Sequence, residues 1–565
     1  MRYNKIVLLL GACALASCVG EVPSSSSNPG ESGSSSSSSS SSSSVPSSSS
    51  STSSSIDPSE QTDFVFVKAG SEAVLKKYKA SAKTVVIPST YEGLPVTRIY
   101  QNAFKNKVAI EKVVLPEGLV TIDEYAFYGC TNLVDISFPS TLKTIGRYSF
   151  GILPYLENVV LPEGLERIED FAFVCDESLR SLTLPSSLKW FGSNCLTGVN
   201  TLAYTSKNGI DYLGNEENPY LLAARISEDN IVPTSVTFEN GTRIIGSSIL
   251  ESETTVTSIT LPDGLVAIGG RAFDSTKIVA ITIPSTVEEI GQYAFESCDA
   301  LTTCTITGSS LKYIRGEAFS GASALKTINI PDSVLEIGSY AFSKYDEVSD
   351  LVYNTYDNGI YLGNSNNPYH ALMGLATTGA TSINIHPNTK VIAGQALANA
   401  NKVTSLTIPN GVRSLCDSAF FQMTSITEAV IPSSVTHMGE TVFSNCHKLE
   451  TLEFQNAPTS IPGGFVSDCE NLVALNIPST VTKLGRPTIQ RNDKIRTLII
   501  PESVVEIEEG AIAGTVADGK ALQVFLECEK RGELFEDGWI TSADWYFKDQ
   551  WHYVDGVPTV IEKDA

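Results

Sequence analysis

A proline recurs every 23 residues. Pro116, Pro139, Pro162 and Pro185 are evenly spaced, and Pro262, Pro284, Pro331, Pro409, Pro432, Pro478 and Pro501 fall near multiples of the same interval. A small-aromatic pair keeps step with them, as in Ala103-Phe104, Ala126-Phe127, Ser149-Phe150, Ala172-Phe173, Ala272-Phe273, Ala294-Phe295, Ala318-Phe319, Ala341-Phe342 and Ala419-Phe420. A unit this short cannot bury its apolar side alone, but stacked copies can, so the period dictates a solenoid.

One repeat shows the grammar. After Pro116 come Leu119, Ile122, Ala126, Phe127, Cys130, Leu133, Ile136 and Phe138, and then Pro139. Ile136 and Phe138 alternate with Asp135 and Ser137, the period of two of a short strand with one face inward. Proline directly after it ends the strand. The middle, Ile-Gly-x-x-Ala-Phe-x-x-Cys, has apolar residues three and four apart and suits a tight turn with a single helical or 3₁₀ turn. With degenerate copies, in which Glu239, Gly308, His386 and Gln455 take the proline slot, the pattern predicts about sixteen coils.

The pattern Ile-x-Ile-Pro-x-x-Val-x-x-Ile-Gly-x-x-Ala-Phe-x-x-Cys-x-x-Leu resembles the BspA-like leucine-rich repeat, and Ile281 to Leu301 fits it at nearly every position. Asp63 to Phe104 is similar to that family's N-terminal cap, and Val524 to Pro558, with Trp539, Trp545 and Trp551, to its closing segment. The resemblance covers about 61–565 and implies an α/β repeat solenoid rich in β. It further implies a bacterial surface protein, and among such proteins several are adhesins.

The N-terminus reads as an address. Arg2 and Lys5 precede an apolar run, Ile6 to Ala16, the charge and length of a secretory signal. It ends Leu15-Ala16-Ser17-Cys18, which resembles a bacterial lipobox and implies cleavage before Cys18 and lipidation of its thiol. Two or more acyl chains anchor stably. From Ser24 to Ser55, 24 of 32 residues are serine. Such a segment lacks the apolar surface to offset the entropy of ordering, so it reads as a tether. The expected organisation is a signal at 1–17, lipidated Cys18 with a Ser-rich tether over 18–60, a solenoid over 61–516 and a cap over 517–565.

Charge narrows the partners. Acids outnumber bases 63 to 39, for a net charge of −24, which argues against nucleic acid and against a basic patch on anionic lipid. Membrane association is therefore expected through the lipid anchor only, and the ectodomain is expected to be a monomer. Five histidines without a paired spacing, and the absence of a Cys-x-x-Cys, nucleophile elbow or phosphate loop, point away from a metal, a cofactor and an enzyme. His437 and His447 fall in variable slots expected to face solvent, and Glu288-Glu289 and Glu508-Glu509 read as solvated turn residues.

Two regions are candidates for recognition. Two residues before the proline slot, on the presumed concave face, stand Ser137, Thr183, Thr260, Thr282, Thr305, Asn329, Asn384, Thr407 and Asn476. This row reads either as a broad polar face or as β-branched residues that simply suit strands. It has no aromatic platform for sugars. The second candidate is a pair of insertions, about 198–234 and 344–381, that share Asn-Gly-Ile, Tyr-Leu-Gly-Asn and Asn-Pro-Tyr. Their Asn-Gly steps predict hairpin turns, and Tyr212, Asn218, Tyr220, Tyr361, Asn367 and Tyr369 are the candidate contacts. The alternative, and the favoured reading, is that the insertions are hairpin modules that splice two repeat stacks.

Cys130, Cys175, Cys298, Cys446 and Cys469 sit at or beside one slot and read as a packing ladder. Cys446 and Cys469 lie on neighbouring coils and are either a bridge or two free thiols. The function expected is non-catalytic recognition of a protein or cell-surface ligand from the outer face of a bacterial membrane. The alternatives are an envelope scaffold without an external ligand and a glycan-binding accessory module.

Overall fold

The computed structural model describes residues 63–561 except 229, 344–350, 456–457, 514–521, 529–533, 536–538, 542, 547 and 555–556. Cys18 and the serine-rich tether lie outside the described residues.

Each coil has three sides. The first is the short strand before the proline. Lys112–Val114 pairs in parallel with Asp135–Ser137, and Asn158–Val160 with Ser181–Thr183. The second is a two-residue strand past the proline turn. Thr121–Ile122, Thr144–Ile145, Arg167–Ile168 and Trp190–Phe191 follow one another in a parallel sheet. The third is the Ala-Phe side.

That third side is not helical, and its dihedrals say why. Tyr125, Tyr148, Phe171, Tyr293, Glu317 and Ser418, each directly before the Ala-Phe slot, all have φ between 54° and 61°. A left-handed residue there turns alternate amides out of the coil. Tyr125 and Phe127 donate their N–H groups to Arg147 and Ser149 of the next coil, at 2.9 and 2.8 Å. Ala126 and Tyr128 donate three residues back within their own coil, to Asp123 and Tyr125. The i, i+3 and i, i+4 spacing that suggested a helical turn is thus a chain of turns stitched to its neighbour. The structure is a β-solenoid of about nineteen turns with almost no helix. This corrects both the α/β class and the count of sixteen coils. The 3₁₀ turn Lys548–Gln550 is an example of how little helix the described residues hold.

The core is a column of phenylalanines. Phe104, Phe127, Phe150 and Phe173 stack at centroid spacings of 4.7, 5.3 and 5.7 Å, and Phe295, Phe319 and Phe342 at 4.9 and 5.3 Å. Parallel rungs set this spacing, so each ring meets its equivalent one coil away.

The insertions enter the ladder. Thr205–Lys207, Ile210–Leu213 and Leu222–Ile226 form an antiparallel meander, and the last of these strands pairs in parallel with Ile244–Ile245. Asn354–Tyr356, Gly359–Leu362 and Ala371–Leu375 repeat the arrangement and join Val391–Ile392. The first turn centres on Asn208-Gly209, φ 52° and 77°, as its sequence predicts. The second centres on Asp357-Asn358, φ 38° and 64°, one residue earlier than expected. Asn358 stands one residue nearer its tyrosine than Asn208 does, so the turn moves back to keep Tyr361 in register.

Antiparallel pairs stand at both ends: Phe64–Ala69 with Glu72–Tyr78, and Trp551–Val554 with Val557–Val560.

Candidate binding faces

The row two before the proline points outward. In Ala280–Ile283 and Thr303–Ile306 the second and fourth residues are buried, which leaves Thr282 and Thr305 exposed and paired across the ladder. Ser137, Thr260, Asn329, Asn384, Thr407 and Asn476 are exposed too, and Thr183 is half-buried. Among the described residues, the hydroxyls of Thr282, Thr305 and Thr407 have no protein partner. With Val160 and Val430 exposed in the same slot, the row is a mixed wall, mostly polar, with unspent hydrogen-bonding capacity.

It is not the concave face. The second sheet is the side through which coils remote in sequence touch. Arg98 lies 2.7 Å from Asp123 on the next coil and 2.8 Å from Glu506, 408 residues later. Lys483 meets Glu506 at 2.9 Å and Glu508 at 2.8 Å. Arg167 meets Glu289 at 3.0 Å, and Arg315 holds Glu289 and Glu336 at 2.8 Å each. Contacts over such separations require that sheet to curve inward. The inner face is filled by the chain's own ion pairs, and the Thr/Asn row lies outside it.

The seam also corrects one expectation. Glu289 is 3 % exposed and lies on a strand, not in a solvated turn. His437 keeps a solvent-exposed side chain but also stands 3.5 Å from Glu336. Burial works against the Glu506 carboxylate, yet Arg98 and Lys483 hold it below the usual range. Asp123 is raised by burial in spite of Arg98. The signal for this seam was present in the slot before each core isoleucine or leucine, where Arg98, Arg167, Glu289, Glu336, Lys483 and Glu506 recur; which of them meet was not.

The insertion tyrosines divide. Tyr212 and Tyr361 are fully buried, and their hydroxyls accept the backbone N–H of Glu239 and His386 at 3.2 and 3.1 Å. They cannot present a contact surface, because each is the core residue that seats its meander on the next coil. Tyr220, Asn218, Tyr369 and Asn367 are half-buried. Asn218 and Asn367 donate side-chain N–H groups to the carbonyls of Gly241 and Asn388. Gly214 and Gly363 are required by close approach, since a Cβ on either would collide with the carbonyl oxygen of Asn218 or Asn367.

Cys446 and Cys469 are two separate thiols, not a bridge. Cys130, Cys298, Cys446 and Cys469 donate S–H to the carbonyls of Phe104, Phe273, Phe420 and Phe443 at 3.0–3.3 Å. Burial pushes the Cys130 and Cys298 thiols up to about 12, far from a reactive thiolate.

One aromatic group escaped the sequence reading. Tyr125, Tyr148 and Phe171 stack at 4.8 and 4.7 Å, with the Lys105 ammonium 4.2 Å from the Tyr125 centroid. Their 23-residue spacing was the available signal. Both faces of Tyr148 are taken by its neighbours, and Lys105 lies over Tyr125, so the stack offers edges more than a platform for a sugar.

Residues 97–216, 229–349 and 378–517 match the model of the BspA type leucine rich repeat region. No curated protein matches the sequence. Among solved structures, a leucine rich cell surface protein from Faecalibacterium prausnitzii is 22% identical, covering 83% of this chain and 94% of its own, with a TM-score of 0.25. The Treponema pallidum leucine rich repeat protein is 20% identical over 47% of this chain and 88% of its own, TM-score 0.25. The pneumococcal vaccine antigen PcpA is 14% identical over 86% and 97%, TM-score 0.22. With most of its length matched by the repeat model, the chain belongs to the BspA-type leucine-rich-repeat family.

Proposed function

We propose that this chain is a lipid-anchored bacterial surface protein whose solenoid recognises a protein or cell-surface partner, without catalysis. In this reading residues 1–17 direct export, Cys18 carries the lipid, 18–60 form the tether, and 517–565 close the stack. The observation that carries it is the outer Thr/Asn row, a long, mostly polar wall whose hydroxyls are exposed and unpartnered while the inner face is occupied by the chain's own ion pairs. Recognition through such a wall sums many weak contacts, so avidity depends on shape and length rather than on one pocket. Adhesion is the version the family resemblance favours.

A pull-down with residues 61–565 tests it. Retention of a partner from host matrix or neighbouring cells, lost when Thr282 and Thr305 are changed to Lys, is the expected result. Retention of the protein's own envelope components alone would instead favour a scaffold. The anchor is tested separately by mass analysis of the mature N-terminus, where an unmodified Cys18 or cleavage elsewhere would overturn it.

A further inference from the structure

At the first insertion the outer ladder is interrupted, and the gap is a cleft of about 840 Å³. Its floor is a strand edge. The N–H of Leu161 donates to the carbonyl of Thr183 at 3.1 Å, and the N–H of Ser181 to the carbonyl of Glu157 at 3.2 Å. Ser181 and Thr183 thus turn their peptide groups to the preceding coil, and by the alternation of a parallel strand Leu182 turns its own toward the following one. There the insertion closes only the two ends. The N–H of Ala203 reaches the carbonyl of Arg180 at 2.9 Å, and the N–H of Leu184 that of Gly214 at 3.0 Å. Between these points the chain leaves as a hairpin. Among the described residues, neither the N–H nor the C=O of Leu182 meets a backbone partner.

The walls carry a charge and an apolar step. Among the described residues, Glu163, Glu216 and Glu217 are the charged residues lining the cleft. Val160, 68 % exposed, stands on its rim with Leu213 and Pro219 nearby. We propose that this cleft receives a short, basic, extended segment of a partner protein. One residue of that segment pairs its N–H and C=O with Leu182. Its flanking Lys or Arg side chains lay their stems on Val160 and place their charges on the glutamates. The proposal rests on the recognition reading above and names the partner's chemistry.

The second insertion supplies a natural comparison. It keeps the scaffold: the N–H of Ile330 reaches the carbonyl of Gly363 at 2.9 Å, and Asn364, like Asn215, ties itself to the preceding strand. At the lip, however, Ser365-Asn366 replaces Glu216-Glu217. The scaffold is shared, but the paired glutamates at the lip belong to the first insertion, while the second carries a single carboxylate, Asp332, where the first has Ser186, each taken by the following asparagine.

The test titrates the full chain into a fluorescent, end-blocked hexapeptide of alternating Lys and Val, and into its counterpart of alternating Glu and Val. The expected result is saturable binding of the Lys peptide only. N-methylation at one central position should weaken it about tenfold, with smaller effects at the ends. The double variant Glu216→Ser/Glu217→Asn, which installs residues the second insertion already accommodates, should weaken it about tenfold at low salt. Absence of saturable binding, equal binding of the Glu peptide, or binding indifferent to the double variant overturns the proposal. A double variant that keeps the pull-down partner while the wild-type chain fails to bind the Lys peptide removes the cleft and leaves the outer row standing; loss of capture by the wild-type protein removes the recognition reading itself.

Discussion

The Cys469 thiol lies 3.0 Å from the carbonyl oxygen of Phe443, one coil earlier. The left-handed turn beside the phenylalanine column leaves that carbonyl buried, and the cysteine is a donor small enough to fit beneath it. Asn492 fills the same slot one coil later and donates its Nδ2 to the carbonyl of Val466. The slot therefore selects a compact donor rather than a thiol as such. Cys469→Ala, which strands the carbonyl, should cost about 1–3 kcal/mol. Cys469→Ser should cost less, read from denaturant midpoints of the two variants.

The same burial predicts thiol chemistry. Cys130, Cys298 and Cys304 are pushed up to about 12, whereas Cys175 and Cys528 are partly exposed. A thiol reagent at neutral pH should label the latter two first, and the buried seven of the nine described only on unfolding. Peptide mapping of the labelled native chain reads the order.

Much of this architecture was legible because the solenoid is quasi-one-dimensional. Pro116, Phe127 and Cys130 recur in step, and neighbouring coils repeat their contacts. What a period cannot carry is curvature. Arg98 and Glu506 are 408 residues apart in sequence, and no local pattern pairs them. Hence the outer Thr row was assigned to the concave side. Nor does a period distinguish a helical turn from alternating right- and left-handed residues, because both place Ala126 and Phe127 inward. Tyr212 was misjudged for a third reason: a tyrosine beside Asn-Gly reads as a loop residue until its hydroxyl is seen to serve the buried N–H of Glu239.

Asp176 occupies the cysteine slot as a fully buried carboxyl. Its Oδ1 accepts the Leu153 N–H at 2.8 Å, and its Oδ2 has no partner. Burial raises it well above the usual aspartate range. The folded chain then holds a proton that the unfolded chain releases, so stability falls as pH rises from the unfolded value through the raised folded one. Asp176→Asn reproduces Asn492, which accepts the Cys469 N–H and donates to a carbonyl. The variant should flatten that slope and gain about 1–3 kcal/mol above it, as melts across pH would show.

Tyr212→Phe and Tyr361→Phe should each cost about 1 kcal/mol, because only the hydroxyl bond to Glu239 or His386 is lost. Alanine at either site should cost about 3–5 kcal/mol through the cavity left behind. A binding defect in Tyr212→Ala would thus report a displaced meander. Comparing circular dichroism melts of the Phe and Ala variants separates the two effects.

The Arg98–Glu506 contact joins the first coils to the last, so its loss should be read in shape as well as in stability. Glu506 is nearly buried while Arg98 is 30 % exposed. Breaking a fully buried pair costs about 3–5 kcal/mol, and exposure of the arginine reduces the expectation here to about 1–3 kcal/mol. Because Arg98 and Lys483 hold the Glu506 carboxylate below the usual range, its contribution is present above the unfolded glutamate value and disappears as pH falls through the folded one. Asp123, raised by burial, contributes in the opposite sense and partly offsets it. Glu506→Gln should therefore expand the chain at neutral pH, with wild type approaching the same radius of gyration only in acid. Small-angle scattering of both proteins across pH measures this directly. An unchanged radius in Glu506→Gln would mean that the curvature is set coil by coil, by the offset between the outer and inner ladders, with the seam merely filling the space that curvature creates.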